Sequence, residues 1–198
     1  MKPLTAERLV MTTVADWHTL ALESTGCIVA AVPADRWQAA TPCADWDVRG
    51  LVNHLVSGNL WAAAIGAGAK TEEVGDRLDG DLLGADPAGA YTASARAASA
   101  VFHRPGALDE PCAVSYGPVA GSVYAGHRFI DVLVHGWDLA TATGQDATLD
   151  YQLVAACRKI AAPQIEGLRA SGAFAEGVRV PAGASAQTRL LAMLGRSG

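Results

Sequence analysis

The sequence predicts an all-α fold, a four-helix bundle with an extra C-terminal helix and a short hairpin or extended excursion. Three observations carry this. The composition is rich in Ala and Leu with few β-branched or aromatic runs, which favours helix. Apolar residues recur at a period near 3.6 over several long segments. Pro33, Pro105 and Gly144 stand where those segments end. The 198 residues fit one domain spanning 1–198, and 51% hydrophobic against 18% charged residues supply a core and exclude disorder.

The first helix is expected from Thr5 to Ala31, with Pro3 near its start and Pro33 beyond its end. Its apolar positions Leu9, Val10, Val14, Trp17, Leu20, Ala21, Ile28 and Val32 roughly follow one face. The turn Thr41-Pro42-Cys43-Ala44-Asp45-Trp46-Asp47 leads into a second helix over Val48 to Gly66, capped by Asp47. A Gly- and Asp-rich loop from Gly75 to Asp86 follows. Asp86-Pro87 then opens a third helix, N-cap followed by Pro in the first turn, lasting to about His103. Residues 107–121, with Pro111, Tyr116-Gly117-Pro118 and Gly121, read as the hairpin or excursion. Ser122 is expected to cap the fourth helix, which ends at Thr143 before Gly144. A fifth helix from Asp150 to Ser171 should kink at Pro163. The tail holds a short strand at Val178-Arg179-Val180-Pro181 and a last helix from Ser185 to Leu194.

Charge and cysteine usage exclude several classes. The net charge of −5 comes from dispersed Asp and Glu with no basic stripe, so nucleic acid is not an expected partner. Met1-Lys2-Pro3-Leu4-Thr5-Ala6-Glu7-Arg8 lacks the regions of a signal peptide, and no apolar run reaches the roughly 20 residues that span a bilayer. Cys27, Cys43, Cys112 and Cys157 are widely spaced without a Cys-x-x-Cys pair and read as free, mostly buried thiols. A cytoplasmic location is expected.

The chemistry concentrates in the fourth helix. Asp131 and His135 are four residues apart, which stacks a carboxylate and an imidazole on one face. His54 lies in the second helix in the apolar run Leu51-Val52-Asn53-His54-Leu55-Val56. Two histidines and a carboxylate from two packed helices can hold a divalent metal and leave a position open. Asp131 sits between Ile130 and Val132-Leu133-Val134, where an unpaired carboxylate is costly to bury. A metal would neutralise it; so would Arg128 or a protonated His135, as a buried ion pair, and spacing alone leaves both readings open.

His127 lies on nearly the same face, but the face drifts by about 40° per four residues, so one compact site does not take all three. His127 is therefore placed at the rim as a substrate contact or acid–base group. Asp138, three residues beyond His135, is a candidate to orient the imidazole. Trp17, Trp46, Trp61 and Trp137 read as packing residues. Cys43 reads as structural, since no histidine stands near it in sequence.

The stretch from Thr41 to Leu55 resembles the opening motif of the N-terminal domain of mycothiol-dependent maleylpyruvate isomerases. Asp131-Val132-Leu133-Val134-His135-Gly136-Trp137-Asp138-Leu139-Ala140, followed by Thr143-Gly144, looks like its metal-ligand helix. Arg189-Leu190-Leu191-Ala192-Met193-Leu194-Gly195-Arg196 is similar to the end of short, single-domain members. The resemblance runs from about residue 10 to 196 and implies a DinB-like four-helix bundle binding a divalent metal through three residues.

His54 and His135 match the family's histidine ligands. Asp131 falls where the isomerase has a glutamate, so its shorter arm implies weaker, longer or water-mediated ligation. The chain does not include the C-terminal domain that follows the bundle in the isomerase, so the maleylpyruvate activity is not carried over. The resemblance implies a cosubstrate thiol such as mycothiol, activated at the metal to attack a small electrophile. Zinc is the first choice of ion, and nickel or iron would accept the same ligands. The resulting expectation is a metal-dependent thiol transferase or isomerase acting on a small-molecule substrate. Alternatives are a water-activating hydrolase, lyase or biosynthetic tailoring enzyme, a non-catalytic metal- or small-molecule-binding bundle, and a homodimer whose polar residues merely satisfy one another.

Overall fold

The computed structural model describes residues 12–115, 117–170 and 174–197. Helix α1 (Val14–Ala30) begins later than the apolar period suggested, because Thr13 closes a capping box with Asp16: the Thr13 N–H donates to Asp16 Oδ2 at 2.7 Å and the Asp16 N–H to Thr13 Oγ1 at 3.3 Å. The expected start at Thr5, with Leu9 and Val10, and the N-terminal reading against a signal peptide lie outside the described residues. Helix α2 (Val48–Gly66) starts as expected, with the Gly50 N–H donating to Asp47 Oδ1 at 2.7 Å.

A one-turn helix α3 (Thr71–Val74), not foreseen, precedes the Gly- and Asp-rich loop. Helix α4 (Pro87–Phe102) has Asp86 as its cap and Pro87 in its first turn, with His103 just past its end. Strands β1 (Pro111–Val114) and β2 (Gly117–Ala120) form the small antiparallel hairpin, pairing Cys112 with Val119; Tyr116 at its turn lies outside the described residues.

Helix α5 (Gly121–Thr143) corrects one expectation: Ser122 is not its cap. The Gly121 N–H donates to the Glu110 carbonyl at 2.8 Å and the Ser122 N–H to the Leu108 carbonyl at 2.7 Å. Backbone from the preceding turn satisfies the helix end, so no side-chain cap is needed. Gly121 is required there, since a Cβ would run into the Ala107 carbonyl oxygen. Gly144, at φ 72°, ends the helix in the left-handed conformation.

The expected fifth helix runs as α6 (Tyr151–Ala161), breaks into a 3₁₀ turn over Ala162–Gln164 at Pro163, and resumes as α7 (Ile165–Ala170). Its expected end at Ser171 lies outside the described residues. Residues 178–181 form no strand; the Val178 N–H instead donates to the Ala192 carbonyl at 2.8 Å. Helix α8 (Ala186–Met193) closes the chain's helices, capped by Ser185.

The four long helices form a ring: α1 packs against α5 and α4, and α2 against α4 and α5. Helix α6 lies outside on α5 and α1, and α8 packs on α6. Leu51, Leu55, Phe129, Ile130 and Leu133 belong to one core cluster and are fully buried, each contributing about 2 kcal/mol by leaving water. Helix α5 is buried along most of its length because it is covered by α1, α2 and α6. Gly136 lets α1 approach α5 so closely that a Cβ there would strike the Thr25 hydroxyl, which itself donates to the Val132 carbonyl at 3.1 Å. All four cysteines are free thiols, but only Cys112 and Cys157 are buried; Cys27 is exposed and Cys43 intermediate, which corrects the expected burial. Among the described residues no helix is long and apolar enough to cross a membrane.

One core histidine escaped the sequence reading. His18 of α1 is fully buried, edge-on to Phe102 at 5.4 Å, and neither ring nitrogen has a hydrogen-bond partner. Burial, and then the positive charge of Arg128, lower its pKa from 6.5 to about 3. A depressed pKa contributes stability above the unfolded value of 6.5 that is lost as pH falls toward 3, here by an amount on the order of 4 kcal/mol. Denaturant melts of wild type against His18→Leu between pH 7 and pH 4 should show a steep acid loss in the former and a flatter profile in the latter. Parallel profiles would mean that His18 does not control the acid limb.

Candidate metal centre

The turn before α2 brings the first part of the site into place. The Cys43 N–H donates to Thr41 Oγ1 at 3.1 Å, and the Thr41 hydroxyl reaches the Trp46 carbonyl at 2.8 Å. The Val48 N–H donates to the Ala39 carbonyl at 3.0 Å and the Arg49 N–H to the Trp37 carbonyl at 2.8 Å. This pinned turn lays the Trp46 ring flat on the His54 imidazole, with centroids 4.3 Å apart and planes 21° from parallel. Trp46 is thus a packing residue whose partner is a candidate ligand, a role its sequence position did not reveal.

Across the α2–α5 contact, His54 Nε2 lies 3.2 Å from Asp131 Oδ1, and His135 Nε2 lies 3.5 Å from the same oxygen. The three candidate ligand atoms of His54, Asp131 and His135 all fall within 4.8 Å of one another. Donor atoms about 2.0–2.1 Å from a tetrahedral zinc stand roughly 3.3–3.5 Å apart, so both carboxylate–imidazole separations match such a set. Asp131, despite its short arm, meets both imidazoles through one oxygen. Two nitrogens and one oxygen suit zinc, nickel or iron, and the residues therefore fit a divalent ion.

Further charged groups flank the three residues on either side. His135 is almost wholly buried, and its Nδ1 donates to Asp138 Oδ2 at 2.9 Å. Asp138 is completely buried and in turn accepts from Arg196: Nε to Oδ1 at 3.3 Å and Nη2 to Oδ2 at 2.9 Å. Arg196 also donates through Nη1 to the Leu194 carbonyl at 3.0 Å and lies over the Phe174 ring at 5.7 Å. On the other side, Arg128 Nη1 is ion-paired with Asp131 Oδ2 at 3.0 Å, its guanidinium resting against Gly58, where a Cβ would clash.

These charges set the protonation preferences. Burial raises the Asp131 carboxyl, but Arg128, His54 and His135 outweigh it and hold its pKa well below the usual carboxylate range. Burial lowers His135, but Asp131 and Asp138 outweigh it and raise its pKa. An imidazole between two carboxylates is either a protonated partner to both or, with Nδ1–H fixed by Asp138, a neutral ligand through Nε2. The ion-pair alternative and the metal alternative thus use the same atoms, and Arg128 and His135 both occupy the positions the former needs.

The side chains of His54, Arg128 and Asp131 open onto a cavity of about 800 Å³. His127 lines it as well, its Nε2 bonded to Gln164 Oε1 at 2.7 Å across from the 3₁₀ turn. Asp138 does not line it; it bonds the Nδ1 edge of His135. Trp61 lines the cavity, whereas Trp137 is buried and does not.

With this geometry in view, comparison with known proteins is decisive for the family. The profile of the mycothiol maleylpyruvate isomerase N-terminal domain matches residues 19–140. The chain belongs to this family, within the DinB-like superfamily. Two proteins of Mycobacterium tuberculosis, one from each of two strains and both described only as uncharacterized, are each 35% identical to it over 188 residues, spanning 91% of this chain and 96% of the relative. No solved structure matches the chain significantly. His54, Asp131, His135 and Asp138 lie inside the segment the isomerase-domain profile matches, while Arg196 lies beyond it.

Arg196 is the functional candidate that sequence reasoning missed. It closes the C-terminal motif that resembles short family members, but nothing there pointed to a partner 58 residues away. Removing it leaves the buried Asp138 carboxylate with His135 alone and no guanidinium, so Arg196→Ala should cost about 3–5 kcal/mol in urea denaturation. In a double-mutant cycle with Asp138→Ala the two losses should fall well short of additive. Additive losses would mean that the pair is not energetically coupled.

Proposed function

We propose that this chain is a metal-dependent enzyme in which His54, Asp131 and His135 hold a divalent ion, zinc in the first instance. Its reaction is the activation of a low-molecular-weight thiol of the mycothiol type for transfer to, or isomerisation of, a small electrophile. The observation that carries the reading is the convergence of two imidazole nitrogens on one carboxylate oxygen, at 3.2 and 3.5 Å, on the wall of a cavity. The family's name, with its isomerase and its mycothiol, supports the thiol chemistry. A divalent ion held there would lower the pKa of a thiol or water and polarise a carbonyl.

The protein's own groups have distinct tasks in this reading. Asp138 keeps the His135 proton on Nδ1, which leaves Nε2 free to ligate. Arg196 balances the Asp138 charge, and Arg128 engages Asp131 Oδ2 so that Oδ1 faces the two histidines. Trp46 holds the His54 ring plane. His127, steadied by Gln164 on the cavity wall, is placed to accept or donate a proton for a bound molecule. A purely ionic network is the competing reading, favoured by the Arg128–Asp131 pair and by the raised pKa of His135.

Elemental mass spectrometry of protein purified without an affinity tag separates the two. About one divalent ion per chain is expected in wild type and none in His135→Ala. Thiol-dependent turnover of an electrophile should vanish in His54→Ala while the circular dichroism spectrum stays helical. No ion in either protein, even after reconstitution, would leave the three residues as a metal-free polar network.

A further inference from the structure

The cavity beside His54 and Asp131 exposes mainly apolar surface. Trp61 and Ile65 come from α2, Val114 and Val119 from the hairpin, and Leu168 and Phe174 from the segment after α6. Its volume of about 800 Å³ lies in the range of small-molecule sites.

Several of the polar groups on the cavity wall are engaged by protein partners. The Ser57 hydroxyl donates to the Leu78 carbonyl at 3.2 Å, and His127 is bonded to Gln164 at 2.7 Å. Arg128 is the one Lys or Arg among the described lining residues, and Asp131 Oδ2 already takes its charge at 3.0 Å. A ligand carboxylate lodged between Trp61, the hairpin and Phe174, away from the ion proposed at His54 and Asp131, would find no Lys or Arg among the described residues of this wall, and an unpaired buried charge is strongly disfavoured. An alkyl or aryl body, in contrast, gains on every face.

We infer that the substrate bound in this cavity is an uncharged molecule with an apolar alkyl or aryl body, not a dicarboxylate. The inference rests on the proposal that the cavity is the substrate side of the His54–Asp131–His135 site, and it specifies what that site accepts. Maleylpyruvate-like dianions are disfavoured by the same wall that admits a neutral chain. Any reacting carbonyl or leaving group would sit at the His54 and Asp131 end, with the apolar body between Trp61 and the hairpin.

The test uses neutral 1-alkanols from butanol to octanol, with maleate as the dianionic probe, followed by ligand-observed NMR on the full chain. Each set is run on protein as purified and after treatment with a chelator. Affinity should rise roughly three- to fourfold per added methylene. Val119→Glu, at a partly buried position of the hairpin that lines the cavity, should weaken octanol at least tenfold. Maleate should bind at least tenfold more weakly than octanol in both preparations.

An affinity that does not grow with chain length, or maleate binding as tightly as octanol, overturns the inference. Should Val119→Glu not fold, the wild-type series alone decides. Because the alkanol series requires no ion, its outcome is separate from the metal analysis: absent metal with an intact series removes the proposed chemistry and leaves the apolar ligand class standing.

Discussion

A carboxylate placed among Val, Leu and Ile side chains is unfavourable unless charge or donors surround it, and α5 carries two of them, Asp131 and Asp138, within two turns. Much of the surrounding arrangement answers that constraint. Arg128 comes from one turn earlier on the same helix, Arg196 from beyond α8, and His135 stands between the two acids with a ring nitrogen toward each. The two acids differ in what they see. Asp138 is sealed in protein, while Asp131 keeps 20% of its side chain exposed and faces His54 and the cavity. One acid thereby meets protein groups alone, and the other also meets the cavity.

The bundle makes this possible by its ring order. Since α2 and α5 are neighbours, His54 can approach from the side opposite the α1 contact, where Gly136 and Thr25 hold α5 tightly. The hairpin and the α6–α7 bend lie around the same opening, so the apolar cavity is walled by segments inserted between or after the long helices. The helices place the polar groups, and the connections shape the space in front of them.

The helices were legible because their signals are local. Asp47 and Asp86 as caps, Gly144 as terminator and the break at Pro163 each depend on a few neighbouring residues. Failures came where a nonlocal or competing local partner intervened. Thr13 and Asp16 formed a capping box inside a pattern that continued upstream, and carbonyls from the 107–110 turn took the role assigned to Ser122. At the site, the i to i+4 spacing of Asp131 and His135 was visible, as was the i to i+3 spacing of His135 and Asp138. His54 was grouped with them by residue type and its place in an apolar helical run, and the family likeness then supported the match, since pairing of two helices leaves no local mark. Arg196, Trp46 over His54, and the isolation of His18 were hidden for the same reason.

The tie between Arg196 and Asp138 closes a long segment of chain back onto the centre of the bundle. The layer it crosses, α6 to α8, also holds itself together through the Arg169 Nη2 bond to the Met193 carbonyl at 2.8 Å. A momentary opening of that layer would withdraw the guanidinium, weaken the grip of Asp138 on His135, and let the imidazole turn or exchange its tautomer. Readiness of His135 and local breathing of the outer helices are then a single equilibrium, in which a layer that lines the cavity through Gln164 and Leu168 also latches the imidazole behind it.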